Sequence, residues 1–116
     1  MPVANRQVKL FIGSPVVARI ALSYSAEVQE VLSKSEFENA ATVNFNLYDT
    51  DHVTKLIDTL SCPYIASSNG VYGAISASNP ALVLGSEYRY EFIVVAPGSQ
   101  TQAFGGHKIA ERNAGS

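Results

Sequence analysis

Chemistry in this chain would have to come from few residues. His52 and His107 are the available general bases, and Cys62 is the only thiol. A hydrolytic centre needs a nucleophile, a base within reach of it, and an acid that orients the base. His52 lies in the polar turn Asp49-Thr50-Asp51-His52, and His107 follows Gly105-Gly106 near the chain end. Neither adjoins an apolar run that would wall a pocket, so no residue is assigned a catalytic role. Asp49, Asp51 and His52 are the only metal-like grouping by spacing. Aspartates of this kind far more often make turns, and no distant fourth ligand completes the set. The Gly and distal Glu of a calcium loop are missing as well. No phosphate loop or dinucleotide fingerprint occurs. Cys62 precedes Pro63 in an apolar neighbourhood and reads as a packed small hydrophobe. With one Cys there is no internal disulfide, which fits synthesis in a reducing cytoplasm. The expectation is no catalytic, metal-binding or cofactor-binding residue, no cofactor, and no enzymatic activity.

The bulk numbers bound what positions these residues. A chain of 116 residues is one domain, since a core divided in two would be too small for either half. Hydrophobic residues make up 47% and charged ones 16%, against about 25% charged in ordinary soluble domains. A thinly charged surface suits permanent contact with other protein. It equally suits a β protein whose surface is Ser, Thr and Asn. Net charge is −2, and the eight Lys and Arg are scattered with no two adjacent. Nucleic-acid binding needs clustered cations and is not expected. No run of about 18 apolar residues marks a membrane span. Met1-Pro2-Val3-Ala4-Asn5-Arg6 has no apolar core of a secretory signal.

Periodicity supplies the elements. Val8–Ile12 reads as a short strand stopped by Gly13-Ser14-Pro15. Val16–Tyr24 alternates, with Val16, Ala18, Ile20, Leu22 and Tyr24 on one side. Residues 25–41 form a polar connection with room for one or two helical turns, capped by Ser25, and its glutamates read as a solvated face. Thr42–Tyr48 alternates with Val43, Phe45 and Leu47 inward and Thr42, Asn44 and Asn46 toward water. Val53, Leu56, Ile57 and Leu60 have helical spacing with Asp51 placed to cap, yet the segment is short and β-branched, so spacing supports helix and strand equally. Ser67-Ser68-Asn69-Gly70 is a turn, Val71–Ser76 a strand, and Asn79-Pro80 a break. The clearest strand follows Gly85: Tyr88, Tyr90, Phe92 and Val94 face the core, Arg89, Glu91, Ile93 and Val95 face away, and Pro97-Gly98 ends it. A last strand runs from about Thr101 to Ile109, with Gly105-Gly106 as a bulge or bend. Six or more short strands with frequent turns predict an all-β antiparallel sandwich. The division is residues 1–7 as an N-terminal arm, 8–109 as the domain and 110–116 as a flexible tail.

Several of these segments carry a resemblance. They are Gly13-Ser14-Pro15 before an alternating strand, Ala41-Thr42-Val43-Asn44-Phe45-Asn46-Leu47-Tyr48-Asp49, Asn69-Gly70-Val71-Tyr72, and Leu84-Gly85-Ser86-Glu87-Tyr88-Arg89-Tyr90-Glu91-Phe92. In that order, from Gly13 to Ile109, the chain resembles immunoglobulin-like β-sandwich domains of tailed-bacteriophage virion proteins. The resemblance implies about seven strands and makes Val53–Leu60 a strand. It implies a structural protein of the virion, made in the host cytoplasm, serving as capsid decoration or cement or as a neck, tail or baseplate accessory. Its partners would be major capsid or tail and neck proteins and further copies of itself, held by apolar burial, by the end segments 1–7 and 105–116, and by edge-strand pairing. Which residues make those contacts is not assigned. One departure concerns the tyrosine corner of such sandwiches. Its Tyr usually stands two residues after Gly; here Gly85 and Tyr88 are three apart, so the corner bond is absent or differently made. Two rival readings remain. A carbohydrate- or receptor-binding module would need exposed aromatics grouped on loops, whereas Tyr48, Tyr64 and Tyr72 are candidates for an exposed protein interface. A small α+β enzyme would need helices over Ser25–Ser35 and Asp51–Leu60.

Overall fold

The computed structural model describes residues 2–33, 35–98 and 101–112. Its strands are β1 (Val3–Lys9), β2 (Val17–Ser23), β3 (Thr42–Tyr48), β4 (Lys55–Ser61), β5 (Val71–Ile75), β6 (Glu87–Val95) and β7 (Gln102–Ile109), with one helix, α1 (Ala26–Leu32), among the described residues. They form two antiparallel sheets, ordered β1-β2-β5 and β4-β3-β6-β7. The fold is an all-β sandwich with a short helix in the β2–β3 connection.

Alternation decides which side chains meet between the sheets. Ala18, Ile20 and Leu22 of β2 and Tyr72 of β5 are buried against Val43, Phe45 and Leu47 of β3 and Tyr88, Phe92 and Val94 of β6. Phe45 and Phe92 are register partners, with ring centroids 5.0 Å apart, and Tyr90 closes the cluster 6.0 Å from Phe92. Each such side chain contributes roughly 1.5–3 kcal/mol on leaving water.

The segment with helical spacing is strand β4, and its spacing has a cause. Phe45 pairs with Leu60 and Leu47 with Ile57, so a bulge on β4 puts Asp58 and Thr59 opposite the single residue Asn46 of β3. Bulging brings Ile57 and Leu60 to the same side at a spacing that imitates a helix. Thr59 carries the bulge at φ 60°, unusual for a β-branched residue. Its N–H donates to Asn46 Oδ1 at 2.8 Å, and so Asn46, expected to face water, is buried instead.

α1 starts at Ser25, whose hydroxyl accepts from Val28 N, and ends at Ser33 in the left-handed conformation. None of its residues is buried. Glu38 further along this connection is not part of a solvated face. It is 7% exposed, its Oε1 accepts from Tyr24 Oη at 2.6 Å, its Oε2 accepts from Ala40 N at 3.1 Å, and its carbonyl accepts from Tyr72 Oη at 2.7 Å. A buried carboxylate persists because its lone pairs are filled.

Other expectations need correction. Of the expected arm 1–7, Met1 lies outside the described residues and Val3–Gln7 belong to β1: all of Val3–Lys9 pairs with β2, because Ala4 and Val8 have apolar surface to hide. The tail expected to be free is anchored at its start. Ala110 is buried, with its N–H on Ser86 O at 2.9 Å, and Glu111 N donates to Leu10 O. Residues 113–116 lie outside the described residues. Gly105 and Gly106 make no bulge; β7 keeps an unbroken register with β6 across them. Gly106 is opposite Tyr90, and a Cβ there would sit 2.5 Å from Tyr90 Oη, so the glycine makes room for the ring. Tyr88 Oη accepts from Val83 N at 2.8 Å, five residues upstream.

Candidate functional site

The outward face of β1-β2-β5 is built by register. Asn5, Ala21 and Val71 form one row, Gln7, Arg19 and Gly73 the next, and Lys9, Val17 and Ile75 the third. Small and β-branched residues keep this face low around Arg19. Two shallow grooves of about 480 and 330 Å³ flank it, the second walled by Ile65 and Ile75. A Cβ on Gly73 would sit 3.3 Å from Arg19 Cγ, so this glycine lets the arginine stem lie flat. β1, β2 and β5 contain Arg6, Lys9 and Arg19 and no Asp or Glu. Arg19 is exposed, with no carboxylate partner among the described residues. A cationic, acid-free face that mixes Asn5 and Gln7 with Val17, Val71 and Ile75 is complementary to a partner offering carboxylate beside aliphatic surface.

The same chain carries such a surface elsewhere. Glu27, Glu30 and Glu36 are exposed on α1 and the connection after it, beside Val31 and Leu32, exposed at 79% and 54%.

The sheet edges are unequal. β4 is bent by its bulge. β5 is covered by the segment before it, where Ile65 N donates to Val71 O and Gly73 N donates to Pro63 O. β7 is met by Arg6, whose Nη1 donates to Gly105 O at 2.6 Å. Such devices keep an edge from pairing with foreign strands. β1 keeps only the charges of Arg6 and Lys9.

The residues singled out for chemistry fall as follows. Asp51 Oδ1 accepts from Val53 N and Thr54 N, each at 2.9 Å, and its Oδ2 accepts from Thr54 Oγ1 at 2.6 Å. The Thr54 hydroxyl first, and then these backbone donors, hold its carboxyl down to about 2. Asp49 Oδ1 accepts from Thr50 N. Both aspartates are turn-makers, as expected. His52 stands in the same turn at φ 61°, with its N–H on Asp49 O at 2.8 Å. The structure brings it to His107, with ring centroids 5.1 Å apart, and His107 Nδ1 lies 3.2 Å from Glu87 Oε1. Reading the histidines one at a time missed this meeting. Folding the β6–β7 hairpin about Pro97-Gly98 would have put His107 opposite Arg89, beside Glu87.

Cys62 is buried, which pushes its thiol up to about 11. The aromatics do not gather on loops. Tyr72 is fully buried, Tyr64 packs on it at 5.5 Å, and Tyr48 lies half-buried under the Arg89 guanidinium at 3.8 Å. The helix that the α+β reading needed over Asp51–Leu60 is strand β4. No protein-family model, curated protein or solved structure matches the chain.

Proposed function

We propose that this protein is a non-enzymatic structural component of a tailed-phage virion, an immunoglobulin-like sandwich acting through protein–protein contacts as capsid decoration or as a neck or tail accessory. The strand order supports the immunoglobulin-like reading. First, second and fifth strands share one sheet, and third, sixth and seventh share the other, as in such domains. The fourth strand pairs with the third, the place of the extra strand of variable-type domains, rather than joining the first sheet. Tyr88, at the start of the sixth strand with its hydroxyl bonded upstream, supports it further.

The observation that carries the contact role is the acid-free, low-relief face around Arg19. Its counterpart is the acidic and apolar surface of α1 on the same chain. Two different patches that fit one another make a heterologous contact, which builds rings or lattices of copies. By strand spacing the three-stranded face measures roughly 14 by 20 Å. That is below the ~800 Å² per partner of a standard stable interface, so single contacts are weak and many copies must act together.

The test uses particles of the phage whose genome encodes the chain, assembled without it. Added purified protein should pellet with them saturably, and R19E should weaken that binding at least tenfold. Protein that stays in the supernatant overturns the virion role, as would neighbouring genes that encode no capsid or tail proteins.

A further inference from the structure

We infer that His52, Glu87 and His107 form a binding site for a divalent transition-metal ion of the zinc, copper and nickel class. Their ligand atoms lie within 4.8 Å of one another. The site stands apart from the Arg19 face and does not depend on the virion reading.

Three separate elements supply the donors. His107 projects from the outward face of β7, Glu87 begins β6 as its diagonal neighbour, and His52 reaches over from the β3–β4 turn. The turn is already fixed before any ion arrives. Asp51 binds three donors of Val53 and Thr54, and the His52 N–H is held by Asp49 O. His52 takes the left-handed conformation without the penalty a β-branched residue would meet. A preset ligand loses less freedom on binding.

The distances suit a small ion. Bonds of about 2.0–2.1 Å in a tetrahedral site put neighbouring ligand atoms roughly 3.4 Å apart. His107 Nδ1 and Glu87 Oε1 are at 3.2 Å already, close to the spacing two ligands of one such ion require. The widest separation must close by no more than about 1.4 Å, by the same tetrahedral geometry, and the exposed side chains of His107 and Glu87 have the rotamer freedom to do so. Two imidazoles and one carboxylate select borderline ions and disfavour calcium and magnesium, which prefer all-oxygen shells. Solvent fills the remaining position.

Neighbouring cations are engaged elsewhere. Arg89, opposite His107, lies over the Tyr48 ring and 3.9 Å from Glu91. Lys55 lies 3.4 Å from Asp58, and Lys108 lies 3.7 Å from Glu111. The buried Cys62 does not compete for the ion.

The test is calorimetric titration of the tag-free full chain with zinc chloride, alongside H52N and H107T. Asn tolerates the left-handed backbone at position 52, and Thr suits the strand at position 107. The expected result is one zinc per chain, bound tighter than about 100 μM, with each variant weaker by at least tenfold. Urea midpoints of the metal-free variants should match the parent, which separates lost ligation from lost fold. Weaker parental binding, a smaller loss in either variant, or equal binding of magnesium overturns the site.

Discussion

Replacing Tyr72 and Tyr88 separately by Phe makes the same chemical change in two different settings. Tyr72 Oη donates to the carbonyl of buried Glu38 at 2.7 Å and accepts from Ala41 N at 2.9 Å. Phe there strands two backbone groups that the β2–β3 connection keeps from water. At about 1–3 kcal/mol for an unsatisfied buried group, and about 1 kcal/mol for the part-buried Ala41 N–H, Y72F should cost about 2–4 kcal/mol. Tyr88 Oη accepts one bond, from the N–H of the exposed residue Val83. Water can replace it, so Y88F should cost only about 0.5–1.5 kcal/mol. Urea unfolding reads the difference directly. With m near 1.5 kcal/mol/M, the midpoint should fall by about 1.3–2.7 M for Y72F and by 1 M or less for Y88F, at unchanged m. If Y88F lost as much as Y72F, the pinning of the connection by Tyr72 would be wrong, and the Tyr88 bond would be the stronger fastening.

Three further outcomes follow from the geometry. G106A should destabilise by about 1–3 kcal/mol, because its Cβ would meet the Tyr90 ring, whereas G105A, with its nearest neighbour Tyr90 O at 3.5 Å, should be neutral or slightly stabilising in the same urea assay. Asp51 has a folded pKa of about 2, below its unfolded value near 3.9, so its contribution is complete above about pH 4 and vanishes as pH falls through 2. The gap in thermal midpoint between the parent and D51A should therefore be constant from pH 7 to about 4 and close between 4 and 2; a gap unchanged at pH 2 refutes the turn-holding role. Gly70 has φ 81°, and a Cβ would collide with Leu22 O, so G70A should lower the thermal midpoint more than G13A, where the Cβ meets nothing.

Strands β2 and β6 were legible because each alternates around a single buried face, which is what a period of two encodes; β3 alternates but for Asn46, and β5 was marked by the turn Ser67–Gly70 before it. β4 was not legible, since its bulge writes a helix-like spacing into Ile57 and Leu60 that only the register with β3 explains. The strand expected over Val8–Ile12 lies earlier in the chain: β1 runs Val3–Lys9, and Leu10–Ile12 are outside it. Asn5, Arg6 and Gln7 look like an arm, and only pairing with Ala21, Ile20 and Arg19 gives them a reason to be extended. Glu38 reads as a surface charge in a polar connection because composition cannot show that Tyr24 and Tyr72 converge on it. The candidate surfaces were hidden for the same reason. The Arg19 face gathers three strands, one of them distant in the chain, and the meeting of His52 with His107 needs the β3–β4 turn to fold over the β6–β7 hairpin.

Sedimentation velocity of the full chain, parent against R19E, in low and high salt, tests the contact role most directly. The parent should self-associate in low salt through the Arg19 face and the acidic helix, dissociate as salt screens the charges, and stay monomeric at every salt when residue 19 is Glu. A parent that remains monomeric at millimolar concentration in low salt, or an R19E protein that associates as the parent does, would contradict assembly through that face.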